Sequence, residues 1–514
     1  MTSPRRARLA VLVATTLAVS ASGLVLAAYL VRAWALVAYP WDWSPDEGLY
    51  LDHARRLLEA PGALHARSFV PFPSAYGPVL LLLLAPVIGA PAGALFAARL
   101  VALGWTVAGT LAVYLLVRRA APPPLALAAC ALALVPFDVT FWHMLVRPDG
   151  PMFALLLLAA VPLLPARLVA GSERLSHTRL WLGTALVIAA ILTKATAAIH
   201  AAPLVLGWLF VDRRSGMRLA AALSVTGATA VLVLQWLTHG GFLWVNRVWS
   251  YHPTAPWLPA VVLRDFLGLA WPLVALWLLT LVAGSGRAHA WRDGSLLLLA
   301  GAALVLPLTT KSGASWNYLV PAVAALAVAT ARGWAGDGSL GGIPRSTAGA
   351  SIVATVALAL ALVRPFPLPT AEDERTARAF YSYVESHTRA SGGPILAMRP
   401  ELAYFQVRQP VEMEGSCFIY LARGGAPGSE RIEERLSQAR YTLVIWTWPL
   451  PDTGTYREST ERFYTPAGGC KLGYYFGAVT ATLLPRRDLY RPMLPHAGTR
   501  CGSAVADACP TTEP

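Results

Sequence analysis

Long apolar stretches alternate with short polar segments along the first 363 residues of the chain. A helix needs about 20 apolar residues to cross the hydrocarbon core of a bilayer, so each stretch is a candidate membrane-spanning helix. A first helix starts near the N-terminus, and ten more are predicted. These ten lie at residues 94–117, 123–140, 150–166, 180–193, 195–211, 218–238, 262–283, 295–309, 317–331 and 347–363. The pattern predicts a polytopic α-helical membrane protein with about 11 transmembrane helices.

The last part of the chain has a different pattern. A proline-rich linker at 365–369 is followed by alternating polar helix-like stretches and short strand-like runs. The helix-like stretches are 372–390 and 429–438, and the strand-like runs are 394–398 and 441–446. This alternation is typical of a small α/β unit. We therefore expect a transmembrane domain at 1–363, with its first outer loop at 37–93, and a soluble domain at 364–514.

Composition and charge agree with this division. Hydrophobic residues make up 56% of the chain and charged residues 14%, whereas soluble proteins carry about 25% charged residues. Residues 1–363 hold 25 Lys and Arg against 12 Asp and Glu, and the rest of the chain holds 17 against 16. The net charge of +14 thus comes from basic residues between apolar segments, which report membrane orientation. A soluble enzyme is excluded, and nucleic acid is not an expected partner.

The basic residues predict the orientation. The first apolar run contains a signal-peptidase-like site at 18–21, but the run is longer than a signal core, so we expect an uncleaved helix. With the N-terminus in the cytoplasm, 15 of the 25 basic residues of this part fall in cytoplasmic segments, as the positive-inside rule requires. An odd number of helices then places the C-terminal domain outside the cytoplasm.

The cysteines fit an extracytoplasmic tail. Cys417, Cys470, Cys501 and Cys509 all lie beyond residue 364. Outside the cytoplasm they allow one or two disulfides, with three possible connectivities. Reduced, unpaired cysteines are the alternative.

Five of the 12 acidic residues before position 364 lie in the first outer loop. They are Asp42, Asp46, Glu47, Asp52 and Glu59. Two interpretations stay open. Ser44 and Pro45 can begin a helix whose first turn favours acids, and an acid held near the membrane interface can be catalytic. The two interpretations are compatible, because a capped helix holds an acidic side chain in a fixed position.

A second group of charges lies at other outer helix ends. Asp149 follows Arg147 and Pro148 between two predicted helices. The chain has only three lysines, and Lys194 and Lys311 both fall at predicted outer helix ends. A lysine is a compact charge suited to phosphate, so these cations can surround an anionic headgroup. The alternatives are a solvated loop and lysines that extend to lipid phosphates.

In order and spacing, these motifs resemble the GT-C membrane glycosyltransferases. The resemblance is nearest to glycosyltransferase family 39, which includes protein O-mannosyltransferases, and to the aminoarabinose transferase that modifies lipid A. It covers roughly the first 330 residues. The segments that carry it are Pro-Asp-Glu-Gly-Leu-Tyr at 45–50, Tyr-Gly-Pro at 76–78, Arg-Pro-Asp at 147–149, Leu-Thr-Lys at 192–194, the aromatic loop at 242–257, and 311–318.

The resemblance implies transfer of a sugar from a polyprenyl phosphate to an acceptor at the outer membrane face, with inversion at the anomeric carbon. It assigns the essential acid to Asp46, with Glu47 beside it, and a second acid to Asp149. Residues that bind substrate are then Tyr50, Arg147, Lys194, Arg247 and Lys311. It also makes the apolar run at 78–90 a juxtamembrane helix.

No cofactor is expected with certainty. The aromatic loop offers Asn246 and Arg247, with His252 further on, where the aminoarabinose transferase has an acid and a histidine. A divalent metal is thus not indicated there. A lipid-borne donor needs no nucleotide pocket, and the sequence contains neither an Asp-x-Asp motif nor a Gly-x-Gly-x-x-Gly loop after a strand.

We therefore expect a membrane hexosyl- or pentosyltransferase in a bacterial cell membrane. Its partners would be a polyprenyl-phosphate sugar, membrane lipid, and a lipid, polysaccharide or protein acceptor of the cell envelope. A transporter or flippase is the alternative, although such proteins usually carry ionisable residues near the membrane midplane. A glycosyltransferase-like scaffold without activity would be expected to lack Asp46 or Asp149, and the chain has both.

Overall fold

The fold is described from a computed structural model of the 514-residue chain. The structure describes residues 4–41, 43, 46–61, 65, 74, 76–90, 93–136, 141–282, 291–311, 316–336, 338–340, 342–363, 368–391, 395–397, 430–438, 440–441, 443–448, 462, 464–471 and 479–485.

A helix occupies each of the eleven predicted apolar segments. The helices up to residue 363 are α1 (Pro4–Ala38), α2 (Asp46–Glu59), α3 (Pro78–Leu84), α4 (Ala94–Arg118), α5 (Pro123–Leu134), α6 (Asp149–Leu163), α7 (His177–Thr193), α8 (Ala197–Val211), α9 (Arg213–Leu237), α10 (Gly241–Val248), α11 (Leu258–Val282), α12 (Leu296–Leu304), α13 (Val320–Trp334) and α14 (Arg345–Val363). Within the described residues, five are long and apolar enough to cross a membrane: α1, α4, α9, α11 and α14. The protein is thus mostly helical and has several candidate membrane spans.

Several other apolar helices are shorter, and prolines explain part of this. Proline removes a backbone donor and crowds the preceding turn. Pro307 lies in the 3₁₀ turn Leu306–Thr310 that follows α12, and Pro321 lies in the first turn of α13. A 3₁₀ turn, Trp316–Leu319, also precedes α13. The predicted segments 295–309 and 317–331 are therefore helical, but each mixes an α-helix with a tighter turn.

The centre of the bundle is formed by α5 and α13. Most residues of α5 are buried, and so is every residue of α13 except Pro321. Both helices are rich in alanine, and small side chains let helix backbones approach closely where there is little hydrophobic drive between helices. Around this centre, α1 packs against α14 and α5, and α4 packs against α5 and α6.

Helix α4 joins two buried arginine clusters at opposite ends of the bundle. Near its start, Arg99 pairs with Glu47. Near its last turn, the Leu116 carbonyl accepts a hydrogen bond of 3.0 Å from Arg332, which pairs with Asp293. At 1.5 Å per residue, 17 residues of helix separate these points by about 25 Å, close to the thickness of a bilayer core. We call the two ends of the bundle the Glu47 end and the Asp293 end.

The C-terminal part contains a four-stranded sheet in the order β3–β4–β6–β5. Its elements are α15 (Ala371–Ser391), β3 (Ile395–Ala397), α16 (Glu430–Ser437), β4 (Leu443–Trp448), β5 (Tyr464–Lys471) and β6 (Val479–Pro485), and a small hairpin, β1 (Ser339–Leu340) with β2 (Ile343–Pro344), precedes α14. β3 and β4 are parallel, and the other pairs are antiparallel. Both predicted polar helices and both predicted strands are present as α15, α16, β3 and β4.

The predicted disulfides lie outside the described residues. Cys470 falls in β5, but its side chain is not described, and Cys417, Cys501 and Cys509 are not described at all. The domain boundary at 363 and the extracytoplasmic location of the tail stay predictions.

Candidate active site

The loop that follows α1, predicted to be the first outer loop, leads into helix α2 at the acidic pair. Asp46 is the first residue of α2 and Glu47 the second. The Asp46 side chain and the predicted cap, Ser44 and Pro45, lie outside the described residues. Asp52, further along α2, is buried and pairs with Arg55 at 2.8 Å and with Arg56.

Glu47 is fully buried and is bound on both carboxylate oxygens. Arg99 Nε lies 2.9 Å from Oε1, and Arg99 Nη2 lies 2.6 Å from Oε2. The backbone N–H of Trp43 donates to Oε2 at 2.8 Å, and that of Val146 donates to Oε1 at 3.3 Å. With four donors on two oxygens, this carboxylate is occupied by the fold itself.

Arg99 extends the same cluster to the end of α1. Its Nη1 donates to the carbonyls of Leu36 and Tyr39 at 2.9 and 2.6 Å, and its Nη2 donates to the Trp41 carbonyl at 2.8 Å. The planar guanidinium group can bridge this many acceptors because its five donors are fixed in one fork. The outer anchor, as we call Glu47 with Arg99, therefore joins α1, α2, α4 and the loop at Val146.

Asp149 is the centre of a second buried group. It is the first residue of α6 and is 1% exposed. Its Oδ1 accepts hydrogen bonds from Lys194 Nζ at 2.7 Å and from Asn317 Nδ2 at 3.3 Å. Its Oδ2 accepts from Arg147 Nε at 3.3 Å. The structure thus brings together three of the predicted site residues, Arg147, Asp149 and Lys194, from two segments that lie 45 residues apart.

Aromatic rings complete this group, which we call the Asp149 cluster. The Arg147 guanidinium carbon lies 4.2 Å from the centre of the Trp142 ring. The Lys194 ammonium lies 4.7 Å from the centre of the Tyr318 ring. Among the described residues, two cations share one carboxylate, so this part of the cluster has an excess of one positive charge. A buried site with that charge favours an anion.

The same charges set the protonation of Asp149. Burial by itself raises the pKa of this carboxyl, but the Lys194 ammonium and the Arg147 guanidinium outweigh burial and hold the pKa below its ordinary value. Asp149 is therefore ionised at neutral pH. Neighbouring His143 behaves differently, because burial lowers the pKa of its imidazole to about 4, so this ring is neutral.

Backbone contacts connect the two acidic segments. The Val146 N–H that binds Glu47 immediately precedes Arg147. The hydroxyl of Thr106 on α4 donates to the His143 carbonyl at 3.1 Å. A Cβ on Gly150 would lie 3.2 Å from that same carbonyl oxygen, so the loop packs closely on the start of α6. The loop that carries Arg147 is thus fixed between α4 and the outer anchor.

The Tyr-Gly-Pro segment packs against the end of α7, beside Lys194. A Cβ at Gly77 would lie 1.9 Å from the Leu192 carbonyl oxygen, so only glycine fits. Tyr76 contacts Tyr50 edge to face, with ring centres 5.6 Å apart. Tyr50 is buried in a small apolar core with Leu51, Leu80 and Leu95, which gives this predicted substrate residue a packing contact.

The last two predicted residues lie in other segments. Lys311 forms an isolated antiparallel bridge with Thr254, which joins the aromatic loop to the turn after α12. Burial lowers the pKa of its ammonium group. Arg247 lies on α10 and is exposed. Neither side chain is in contact with the Asp149 cluster among the described residues.

Metal ligands do not gather in the described part of the chain. No group of three or more His, Cys, Asp or Glu side chains is placed there to hold a metal ion. The described features of the site are the outer anchor, the net-positive Asp149 cluster, and the start of α2 at Asp46.

Together, this helical bundle and its charged end define a membrane protein with the GT-C glycosyltransferase fold. Among solved structures, it is similar to ArnT, an aminoarabinose transferase from Cupriavidus metallidurans, in the apo state, with 13% identity and a TM-score of 0.54. ArnT bound to undecaprenyl phosphate matches with 14% identity and a TM-score of 0.52. Each match covers 91% of this chain and 98% of ArnT. The predicted resemblance is confirmed for the fold.

A further match is the apo oligosaccharyltransferase of Archaeoglobus fulgidus, with 12% identity, a TM-score of 0.49, and coverage of 89% of this chain and 73% of that one. No protein-family model matches the sequence. No curated protein matches it either.

Sequence reasoning missed Arg99, Trp142 and the roles of Asn317 and Tyr318. Arg99 had a usable signal, since a lone ionisable residue inside an apolar helix normally has a buried partner. Asn317 and Tyr318 fall within the segment 311–318 that carries the family resemblance, yet nothing in their local pattern indicates contact with Asp149 or Lys194.

Proposed function

We propose that this protein is a membrane glycosyltransferase that moves a sugar from a polyprenyl-phosphate donor to a cell-envelope acceptor. The observation that carries the proposal is the Asp149 cluster. It is a buried, net-positive group next to a loop of acids, in a chain with the fold of ArnT. The undecaprenyl phosphate in one ArnT structure is a donor carrier of this chemical class.

The reaction needs a base and a stabilised leaving group. In our proposal, Asp46 takes the proton of the acceptor hydroxyl as its oxygen bonds to the anomeric carbon of the sugar. The bond from that carbon to the phosphate oxygen breaks, and the polyprenyl phosphate leaves with the electron pair. Attack from the opposite face inverts the anomeric carbon. Lys194 and Arg147 stabilise the negative charge that develops on the phosphate.

Asp149 and Glu47 have different supporting roles in this proposal. Asp149 holds the Lys194 ammonium and the Arg147 guanidinium in place and is a positioning residue. Glu47 fixes the start of α2 through Arg99 and so orients Asp46. Lys311 and Arg247 are candidates for contacts further along the lipid-linked donor, and Tyr50 supports the loop by packing.

The positions of the buried charges favour a transferase over a transporter. Among the described residues, buried charged side chains such as Arg99, Lys194 and Arg332 lie in loops or within two turns of a helix end. A transporter usually places such groups near the midplane, at broken helices. We further propose that the Glu47 end and the C-terminal domain face outside the cytoplasm of a bacterial cell.

The test is sugar transfer or release by the purified protein from a panel of labelled polyprenyl-phosphate sugars. Asp46→Asn is expected to lower turnover at least about 100-fold, the usual contribution of general base catalysis. Asp149→Asn is expected to lower it as well, because Lys194 and Arg147 lose their shared partner. The matched control is Asp265→Asn, which alters an exposed acid that pairs with its neighbour Arg264. A folded protein that neither binds nor consumes any donor would overturn the proposal.

A further inference from the structure

At the Asp293 end, far from the Asp149 cluster, a buried arginine has no acidic partner among the described residues. Arg345 is the first residue of α14 and is 6% exposed. Its Nε and Nη2 are buried without a hydrogen-bond acceptor. The nearby Arg332, by contrast, is held by Asp293 and two carbonyls. A buried guanidinium is costly without an acceptor and a counter-charge, and a bound anion would supply both where the described residues do not.

A second unpartnered donor lies beside it. The Arg345 guanidinium carbon is 5.5 Å from the centre of the Trp334 ring. Trp334 Nε1 is also buried without an acceptor among the described residues. Gly349, one turn after Arg345, lets this ring approach, because a Cβ there would lie 2.6 Å from Trp334 Cβ. Guanidinium and indole groups only donate, so the pair can be satisfied by the oxygens of an anion.

The surroundings add positive charge. Ser351 Oγ on α14 donates to the Ala14 carbonyl on α1 at 2.8 Å. Both helices start at this end, and Arg345 and Arg8 each lie six residues before that contact, so they are at a similar level. Arg5, Arg6 and Arg8 are exposed on α1. The described acids nearby, Asp293 and Glu173, are already paired with Arg332 and Arg179.

We propose that Arg345 and Trp334 bind a phosphate group at the Asp293 end of the bundle. A guanidinium fork matches phosphate oxygens, and the arginine side chain is long enough to reach an anion at the rim. The phosphate can belong to an anionic phospholipid headgroup, since Trp and Arg are common where helices meet the membrane interface, or to free inorganic phosphate. This site is separate from the proposed sugar-transfer site and does not depend on it.

The experiment measures thermal unfolding of the full chain in lipid nanodiscs. Three conditions are compared: phosphatidylcholine alone, phosphatidylcholine mixed with increasing phosphatidylglycerol, and phosphatidylcholine with inorganic phosphate. The variants are Arg345→Gln, Arg345→Lys and a matched control, Arg264→Gln, which changes an exposed arginine on α11. The Tm of the wild type is expected to rise with the anion. Arg345→Gln should need about tenfold more anion for the same rise, because it loses charge-assisted hydrogen bonds. Arg264→Gln should follow the wild type.

The phosphatidylglycerol and inorganic phosphate conditions distinguish the two sources of phosphate. Stabilisation by phosphatidylglycerol alone identifies a lipid headgroup, and stabilisation by inorganic phosphate as well identifies a site for the free anion. In phosphatidylcholine alone, Arg345→Gln should be at least as stable as the wild type, because an unpaired buried charge is removed. If it unfolds there, Arg345 is structural and the proposal fails. Equal anion stabilisation of Arg345→Gln and the wild type would also overturn it.

Discussion

At the residue scale, two buried carboxylates near one end of the bundle are used differently. Glu47 is bound by Arg99 and by two backbone N–H groups, which all belong to the fold. Asp149 is bound by two side-chain cations that outnumber it. The first arrangement leaves no surplus charge for a substrate, and the second leaves a positive one. The proposed function therefore assigns proton transfer to Asp46, at the start of α2.

Glu47→Gln tests the structural role of the outer anchor. The variant keeps the shape of the side chain but leaves the buried Arg99 without its counter-charge. Losing one partner of a buried ion pair costs about 3 kcal/mol, so we expect a lower free energy of unfolding, measured by chemical denaturation in detergent micelles. Turnover per folded molecule should fall far less than in Asp46→Asn.

Arg99→Lys is the companion variant. Lysine keeps the charge but cannot reach Glu47 and the carbonyls of Leu36, Tyr39 and Trp41 together, so it should be destabilised to a similar extent. A Glu47→Gln protein with normal stability but no turnover would contradict this assignment and make Glu47 catalytic.

The sequence predicts part of the site because part of its signal is local. Arg147 and Asp149 lie two residues apart, and Lys194 stands out as one of three lysines. The partner of Glu47 is 52 residues away, and Asn317 is 168 residues from Asp149. Contacts at such separations depend on how helices pack, which no local pattern encodes.

At the element scale, Gly77 determines how α3 meets α7. Any side chain there would meet the Leu192 carbonyl, which is backbone and cannot move without shifting the end of α7 and Lys194. We expect Gly77→Ala to lower the free energy of unfolding by about 2 kcal/mol, as overpacking does. We also expect it to reduce turnover, since Lys194 is two residues from the clash.

Gly104→Ala on α4 is the control for this prediction. A Cβ at Gly104 has no heavy atom within 4 Å in the described structure, so alanine should be neutral or stabilise the helix by up to about 1 kcal/mol. Thermal unfolding of both variants in the same detergent gives the comparison. If Gly77→Ala were as stable and active as Gly104→Ala, the close packing of α3 on α7 would be refuted.

Helices and strands can be predicted from the sequence where the apolar periodicity or the composition gives a strong signal. The apolar segments are helices, and the apolar run after Pro78 forms the short helix α3, as predicted. β5 was missed because it contains Pro466, Gly468 and Gly469, which disfavour strands. It pairs with β6 through a register shift between Pro466 and Gly468. β5 therefore forms because it pairs with β6, and not because its own residues favour a strand.

At the scale of the whole molecule, one buried arginine cluster secures each end of the bundle. Arg99 binds the end of α1 and Glu47 of α2, and Glu47 in turn binds the loop at Val146. Arg332 binds Asp293, the end of α4 and the Ala166 carbonyl that follows α6. Hydrogen bonds from a guanidinium satisfy carbonyls at helix ends that have no partner within the helix. The loop that carries Arg147 of the Asp149 cluster is thus held in place by the outer anchor.

The C-terminal part is connected to the same anchor through Trp41. The Trp41 carbonyl accepts a hydrogen bond from Arg99, and its ring stacks on Tyr381 of α15, with centres 4.8 Å apart and an interplanar angle of 9°. An aromatic pair contributes about 1 kcal/mol beyond its buried area. Tyr381→Ala should therefore increase the rate at which a protease cleaves the tail of the folded protein, about fivefold or more.

Tyr381→Phe is the matched control, because it keeps the ring and should be cleaved like the wild type. The thermal unfolding of the helical bundle should be nearly unchanged in both variants, since Arg99 and Glu47 hold the loop without the ring. Equal cleavage of Tyr381→Ala and Tyr381→Phe would show that other contacts hold the tail. Faster cleavage in Tyr381→Ala alone would mean that the stack of Tyr381 on Trp41 holds α15 against the loop that follows α1.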